Sequence, residues 1–210
     1  MTKIRTYIQQ LSIAAVLFIA GCGGGGSSSG GGSAPMVGAT PAPALSIVAL
    51  GDSIGNGFGV ATPWPVLLGA ALGAPVDNNS VTNMQTSFGL SIIEERLDAI
   101  NPTHVVILQG TNDALRGSVG GAISNLQAMV DIANARGVIA VVATLPPIPR
   151  SASENARAAD ISVGIRGLAG ATIAEVRGAM GNGDGLIVDD GVHPNQQGQQ
   201  VITDVMLATF

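Results

Sequence analysis

Lysine appears once in the 210-residue chain, at Lys3. With none after position 3, the chain can hold neither a P-loop, whose lysine reaches the phosphates, nor a pyridoxal-phosphate Schiff base. Cysteine also appears once, at Cys22, which excludes an intrachain disulfide and any multi-cysteine zinc site. Aromatic residues are 3% of the chain, so the core must be aliphatic. Charged residues are only 11% and hydrophobic residues 46%, a balance too apolar for a disordered chain. The net charge is −5. If Lys3 and Arg5 leave with a cleaved leader, the remaining cations are all arginines and are far outnumbered by the 14 Asp and Glu. Nucleic-acid binding needs a basic face, and this composition argues against one. The length suits one domain with appendages.

The amino terminus reads as an address and a tether. Lys3 and Arg5 form a positive n-region, and Leu11 to Ala20 is an apolar run too short to span a bilayer. It ends in Ile19-Ala20-Gly21-Cys22, which resembles the lipobox of bacterial lipoproteins. The alternative is an ordinary secretory signal with an incidental cysteine. The resemblance implies a signal peptide over 1–21, lipidation of Cys22 and a cell-envelope location. With Gly23 rather than Asp after the cysteine, it further implies the periplasmic face of the outer membrane in a two-membrane bacterium. Residues 22–44 are Gly/Ser-rich and then Pro/Ala-rich, a flexible spacer spanning roughly 25 Å root-mean-square.

Residues 45–210 read as one domain. Leu45–Leu50, Val105–Leu108 and Val138–Ala143 are short apolar runs of the kind that form buried strands. Helices are expected over Pro63–Leu72, Leu90–Ile100, Ile123–Arg136 with Gly137 capping it, Glu154–Leu168, Ala171–Met180 and Gln196–Ala208. Strands alternating with helices predict an α/β sandwich with a mostly parallel sheet. In such sheets ligands bind beyond the carboxyl ends of the strands. Gly51-Asp52-Ser53 follows the first strand, and Gly110-Thr111-Asn112-Asp113 follows the second. Asp190-Gly191-Val192-His193-Pro194 lies near the end of the chain. His193, with a carboxylate three residues earlier to orient it, suits a general base. The other histidine, His104, reads as an exposed residue before a strand.

These blocks resemble those of the SGNH (GDSL) hydrolase family, in the family's order. The resemblance implies a three-layer α/β/α, flavodoxin-like sandwich and ester hydrolysis, with Ser53 as nucleophile and Asp190 and His193 completing the triad. It also implies an oxyanion hole made by the backbone N–H groups of Ser53 and Asn83 and the side-chain amide of Asn112. No metal or organic cofactor is implied; the partners are a small ester substrate and the lipid anchor. One block departs: where the family carries a glycine, this chain has Asn83 within Asn78-Asn79-Ser80-Val81-Thr82-Asn83. Asn is the least costly substitute where φ is positive.

Gly51-x-Ser53-x-Gly55 also fits the nucleophile elbow of α/β-hydrolases, but that fold places several strands before its elbow. Asn182-Gly183-Asp184-Gly185 lacks the further ligands of a calcium loop and reads as a turn. Asp189 reads as a solvated neighbour, Asp52 as the organiser of the turn around Ser53, and Trp64 as core packing rather than a stacking platform. Thr144–Ser153 reads as either a cleft wall or a simple connection. The expected activity is a serine esterase acting on short acyl or lysophospholipid-like esters. The alternatives are a carbohydrate O-acetylesterase and a non-catalytic envelope lipoprotein that binds a glycan or lipid in the same cleft. The substrate's acyl and alcohol parts and the oligomeric state stay open.

Overall fold

The computed structural model describes residues 44–210. The leader, Cys22 and nearly all of the tether lie outside them. Strands β1 (Ile47–Gly51), β2 (Val76–Asn78), β3 (His104–Leu108), β4 (Ile139–Ala143) and β5 (Ala171–Ala174) form one sheet in the order β2-β1-β3-β4-β5. Every neighbouring pair is parallel. The helices are α1 (Ser53–Asn56), α2 (Trp64–Leu72), α3 (Thr86–Ile100), α4 (Thr111–Arg116), α5 (Val119–Ala135), α6 (Ala152–Arg166), α7 (Val176–Met180) and α8 (Gln196–Leu207). One packed set joins α3 to α5, α5 to α6 and α4 to α6; another joins α2 to α8 and α8 to α7. With the sheet these make three layers.

The central strands are buried because nothing in them needs water. Ile47 to Leu50, Val105 to Leu108 and Ala140 to Ala143 are all apolar and essentially inaccessible. Continuous apolar runs are what a parallel sheet covered on both faces requires. The core they seed is aliphatic, apart from Trp64, which is fully buried. Pro63 and Pro65 suit the start of α2, where their missing N–H groups would have no intrahelical partner. Gln199 of α8 ties the opposite ends of the chain together. Its side chain accepts from the Trp64 N–H at 2.9 Å and donates to the Ile54 carbonyl at 3.0 Å.

Four parts of the fold differ from the sequence reading. The span Ala171–Met180 is not one helix: it is β5, then Glu175, then α7. Gly170, with φ of +76°, breaks any helix entering the segment. The β-branched pair Thr172-Ile173 lies in ladder register with Val141-Val142 of β4, so sheet pairing overrides the helical bias of its alanines. β2 gives no apolar signal because it is a three-residue edge strand reading Val-Asp-Asn. α1 and α4, of four and six residues, are too short to show a helical period.

Candidate active site

The sheet order places a switch point between β1 and β3, where the chain leaves the two adjacent strands in opposite directions along the sheet. Gly51 and Leu108 are register partners at the carboxyl ends of these strands. Ser53 and Asn112 follow them directly, at the starts of α1 and α4. His104, at the amino end of β3, sits at the far end of the sheet. Its Nδ1 is 2.9 Å from Thr103 Oγ1, and its ring packs on Phe210 at 4.7 Å.

Ser53 Oγ lies 2.8 Å from His193 Nε2, and His193 Nδ1 lies 2.5 Å from Asp190 Oδ2. The other oxygen of Asp190 accepts from the N–H groups of Val192 and His193 at 2.8 and 2.9 Å. The carboxylate therefore shapes the turn that presents the imidazole. Partial burial pushes the Asp190 carboxyl up, but hydrogen bonds from the His193 backbone and ring and from the Val192 N–H outweigh it, holding the group below its ordinary value. The turn is anchored on both sides. Val188 N–H donates to the His193 carbonyl at 2.9 Å, and Asn195 N–H donates to the Leu186 carbonyl at 2.8 Å. Asn195 then caps α8 by accepting from Gly198 N–H. Gly191 is required twice over. Its φ is +67°, and a Cβ there would stand 2.5 Å from Arg150 Cβ and 2.8 Å from Arg150 N.

Asp52 caps α1, accepting from Ile54 N–H at 3.0 Å. It is completely buried, and loss of solvent pushes its carboxyl up to about 6, against the opposing Ile54 bond, the nearby His193 charge and Asn112. Asn112 Nδ2 donates to the Met84 carbonyl at 3.1 Å and reaches Asp52 Oδ2 at 3.3 Å. The second contact is longer than a typical N–H···O bond. In the resting arrangement the amide is therefore occupied on one side and loosely held on the other. Asp113 supplies the cap that α3 lacks locally. Its two oxygens accept from the N–H and the hydroxyl of Thr86, both at 2.9 Å.

Asn83 has φ of +66°, one of two positive-φ residues other than glycine among the described residues. Neither the Ser53 nor the Asn83 backbone N–H donates to a protein acceptor among the described residues. Ser53, Asn83, Asn112 and His193 line one cleft of about 300 Å³, with Phe58, Thr82, Thr111, Leu115, Arg150 and Val192. Arg150 thus makes the Thr144–Ser153 segment part of the cleft wall. Phe58 and Leu115 escaped the sequence reading. Phe58 packs on the His193 ring at 4.4 Å while remaining half exposed. A large aromatic between Gly57 and Gly59, five residues after Ser53, was the available signal. Among the described residues no three His, Cys, Asp or Glu side chains gather as a metal site would require.

The model of the GDSL-like lipase/acylhydrolase family matches residues 49–201. An arylesterase of Vibrio mimicus is 33% identical over 111 residues, which cover 48% of this chain and 56% of that protein. The chain thus matches little more than half the length of this relative. Among solved structures, a psychrotrophic esterase from a Pseudoalteromonas species superposes with a TM-score of 0.62 at 24% identity, covering 78% of this chain and 95% of the other. An acetylxylan esterase from Geobacillus stearothermophilus does so with a TM-score of 0.67 at 17% identity, covering 79% and 94%. At these identities the structural likeness speaks to the fold. The family match runs from β1 into α8 and takes in Ser53, Asn112, Asp190 and His193, and on it the chain belongs to the GDSL-like lipase/acylhydrolase family.

Proposed function

We propose that the protein is a serine esterase that cleaves carboxylic esters through an acyl-enzyme on Ser53. The hydrogen-bonded line from Ser53 Oγ through His193 to Asp190 carries this reading. His193 takes the Ser53 proton as Oγ attacks the ester carbon, and returns it to the leaving alcohol. Asp190 keeps Nδ1 protonated and the ring in place. The carbonyl oxygen becomes an oxyanion, received by the free N–H groups of Ser53 and Asn83. Asn112 adds its loosely held N–H by turning it from Asp52 to the stronger acceptor. Water then attacks the acyl-enzyme by the same proton relay. The modest, open cleft and the apolar Phe58, Leu115 and Val192 suit short acyl or lysophospholipid-like esters. An O-acetylated sugar is the second candidate, supported by the acetylxylan esterase among the fold relatives. The lipobox-like Ile19-Ala20-Gly21-Cys22 supports lipidation of Cys22 and retention on the periplasmic face of the outer membrane.

Asp52 has a separate consequence. Its folded value, about 6, lies above the ordinary 3.8, so the folded state binds the proton more tightly. The contribution of Asp52 to stability is then fully present below pH 3.8 and is lost as pH rises through 6.

Turnover of p-nitrophenyl acetate tests the esterase. Ser53→Ala is expected to lower the rate at least ~10³-fold. Asn112→Ala is expected to lower kcat by about 10²–10³ with little change in KM. Turnover by Ser53→Ala equal to the parent's would defeat the reading. Denaturant unfolding between pH 3.5 and 7.5 tests Asp52. The stability advantage of the parent over Asp52→Asn should shrink with rising pH by up to about 3 kcal/mol, and a difference flat across that window would contradict the raised carboxyl. Membrane fractionation tests the anchor: Cys22→Ser should shift the protein to the soluble fraction, and unchanged fractionation would count against lipidation.

A further inference from the structure

The segment that carries Asn83 is gripped residue by residue from a single helix. α4 runs only from Thr111 to Arg116. From it, Arg116 Nη2 donates to both the carbonyl and the side-chain Oδ1 of Asn83, at 3.1 and 2.6 Å, and Nη1 donates to Gln85 Oε1 at 3.0 Å. Asn112 holds the Met84 carbonyl, and Asp113 holds Thr86. Residues 83 to 86 are each attached to α4, and Arg116 holds the one with the left-handed backbone.

A glycine at this position would need no such hold, because positive φ costs it nothing. Asn83 is an L-residue at φ of +66°, a conformation that costs Asn less than most residues but more than glycine, so contacts that hold it there matter. Its Cα joins two peptide planes. The plane after it is pinned at both ends: Arg116 takes its oxygen, and the Met84 N–H donates to the Val81 carbonyl at 3.3 Å. With that plane fixed, φ and ψ of Asn83 together set the direction of its own N–H, which belongs to the plane before. The contact to Oδ1 fixes the side chain against the same guanidinium. The hydrogen bonds of Arg116 go only to these neutral oxygens, while its charge acts at longer range on the Asp113 carboxyl. Among the described residues no carboxylate lies within ion-pair distance of it, as is also true of Arg157 and Arg177, whereas Arg96, Arg136, Arg150 and Arg166 each have one.

We infer that Arg116 is a positioning residue for the oxyanion hole: it holds Asn83 in the left-handed conformation that aims its backbone N–H into the cleft, in place of the freedom a glycine would have supplied. This rests on the esterase reading above. The fork of the guanidinium is what lets one nitrogen serve two acceptors while the other reaches Gln85, and a lysine ammonium cannot reproduce that geometry.

The test compares kcat and KM for p-nitrophenyl acetate in the parent, Arg116→Ala and Arg116→Lys, with melting temperature recorded for each. Misdirecting one donor by a fraction of its reach is a smaller loss than deleting it, so Arg116→Ala is expected to lower kcat about tenfold, with KM within about twofold. Arg116→Lys is expected to fall between Arg116→Ala and the parent. A donor aimed only at the transition state moves kcat, whereas a surface contact that merely supports the fold moves the melting temperature and leaves kcat alone. Parent kcat in both variants, or a rise in KM at constant kcat, overturns the role of Arg116 while leaving the esterase intact. Should Arg116→Ala not fold, parent kcat in Arg116→Lys overturns it equally. Absence of turnover in the parent overturns the esterase reading and this role with it.

Discussion

The cleft depends on one contact, the 2.8 Å approach of Ser53 Oγ to His193 Nε2, made between residues 140 apart in sequence. Neither end can find the other locally. Ser53 is delivered by the first strand of the sheet, and His193 by a turn just ahead of the last helix. Gln199 of α8, six residues after His193, supplies the joint, bonding to the backbone of Ile54 next to Ser53 and of Trp64 at the start of α2. The Gly191 turn lies against Arg150, so close that no side chain fits between them. The histidine is thus braced by the segment after β4 as well as by the helix that follows its turn.

On the other side of Ser53, the proposed oxyanion hole is built around two buried carboxylates, Asp52 and Asp113. Asp52 caps α1 and steadies Asn112; Asp113 caps α3. Both carboxyls are pushed up by burial, and each is offset by hydrogen bonds to it. An unpaired buried charge is costly, which is why every oxygen of this pair meets a donor.

The chain announced the chemical residues more clearly than the scaffold that aims them. Ser53 and Asn112 stand in short blocks after β1 and β3, Asp190 and His193 in a block just ahead of α8, and the buried strands β1, β3 and β4 are apolar runs. Other elements left no such mark. β5 hides in an alanine-rich stretch because its strand character comes from pairing with β4, and β2 is polar because it is a short edge. Phe58 and Arg116 carry no motif at all. Arg116 reaches Asn83 from 33 positions away, a relation that exists only once α4 is folded over the segment before α3. Asn83 itself was legible as a departure, but the residue that answers for it was not.

The central claim is that Ser53 is a nucleophile activated by His193. It is tested most directly by treating the protein with a fluorophosphonate and locating the adduct by peptide mass spectrometry. The account predicts a single adduct on Ser53, formed at least ~10² times more slowly when His193 is replaced by alanine. An adduct on another residue, or equal labelling rates in the two proteins, would contradict it.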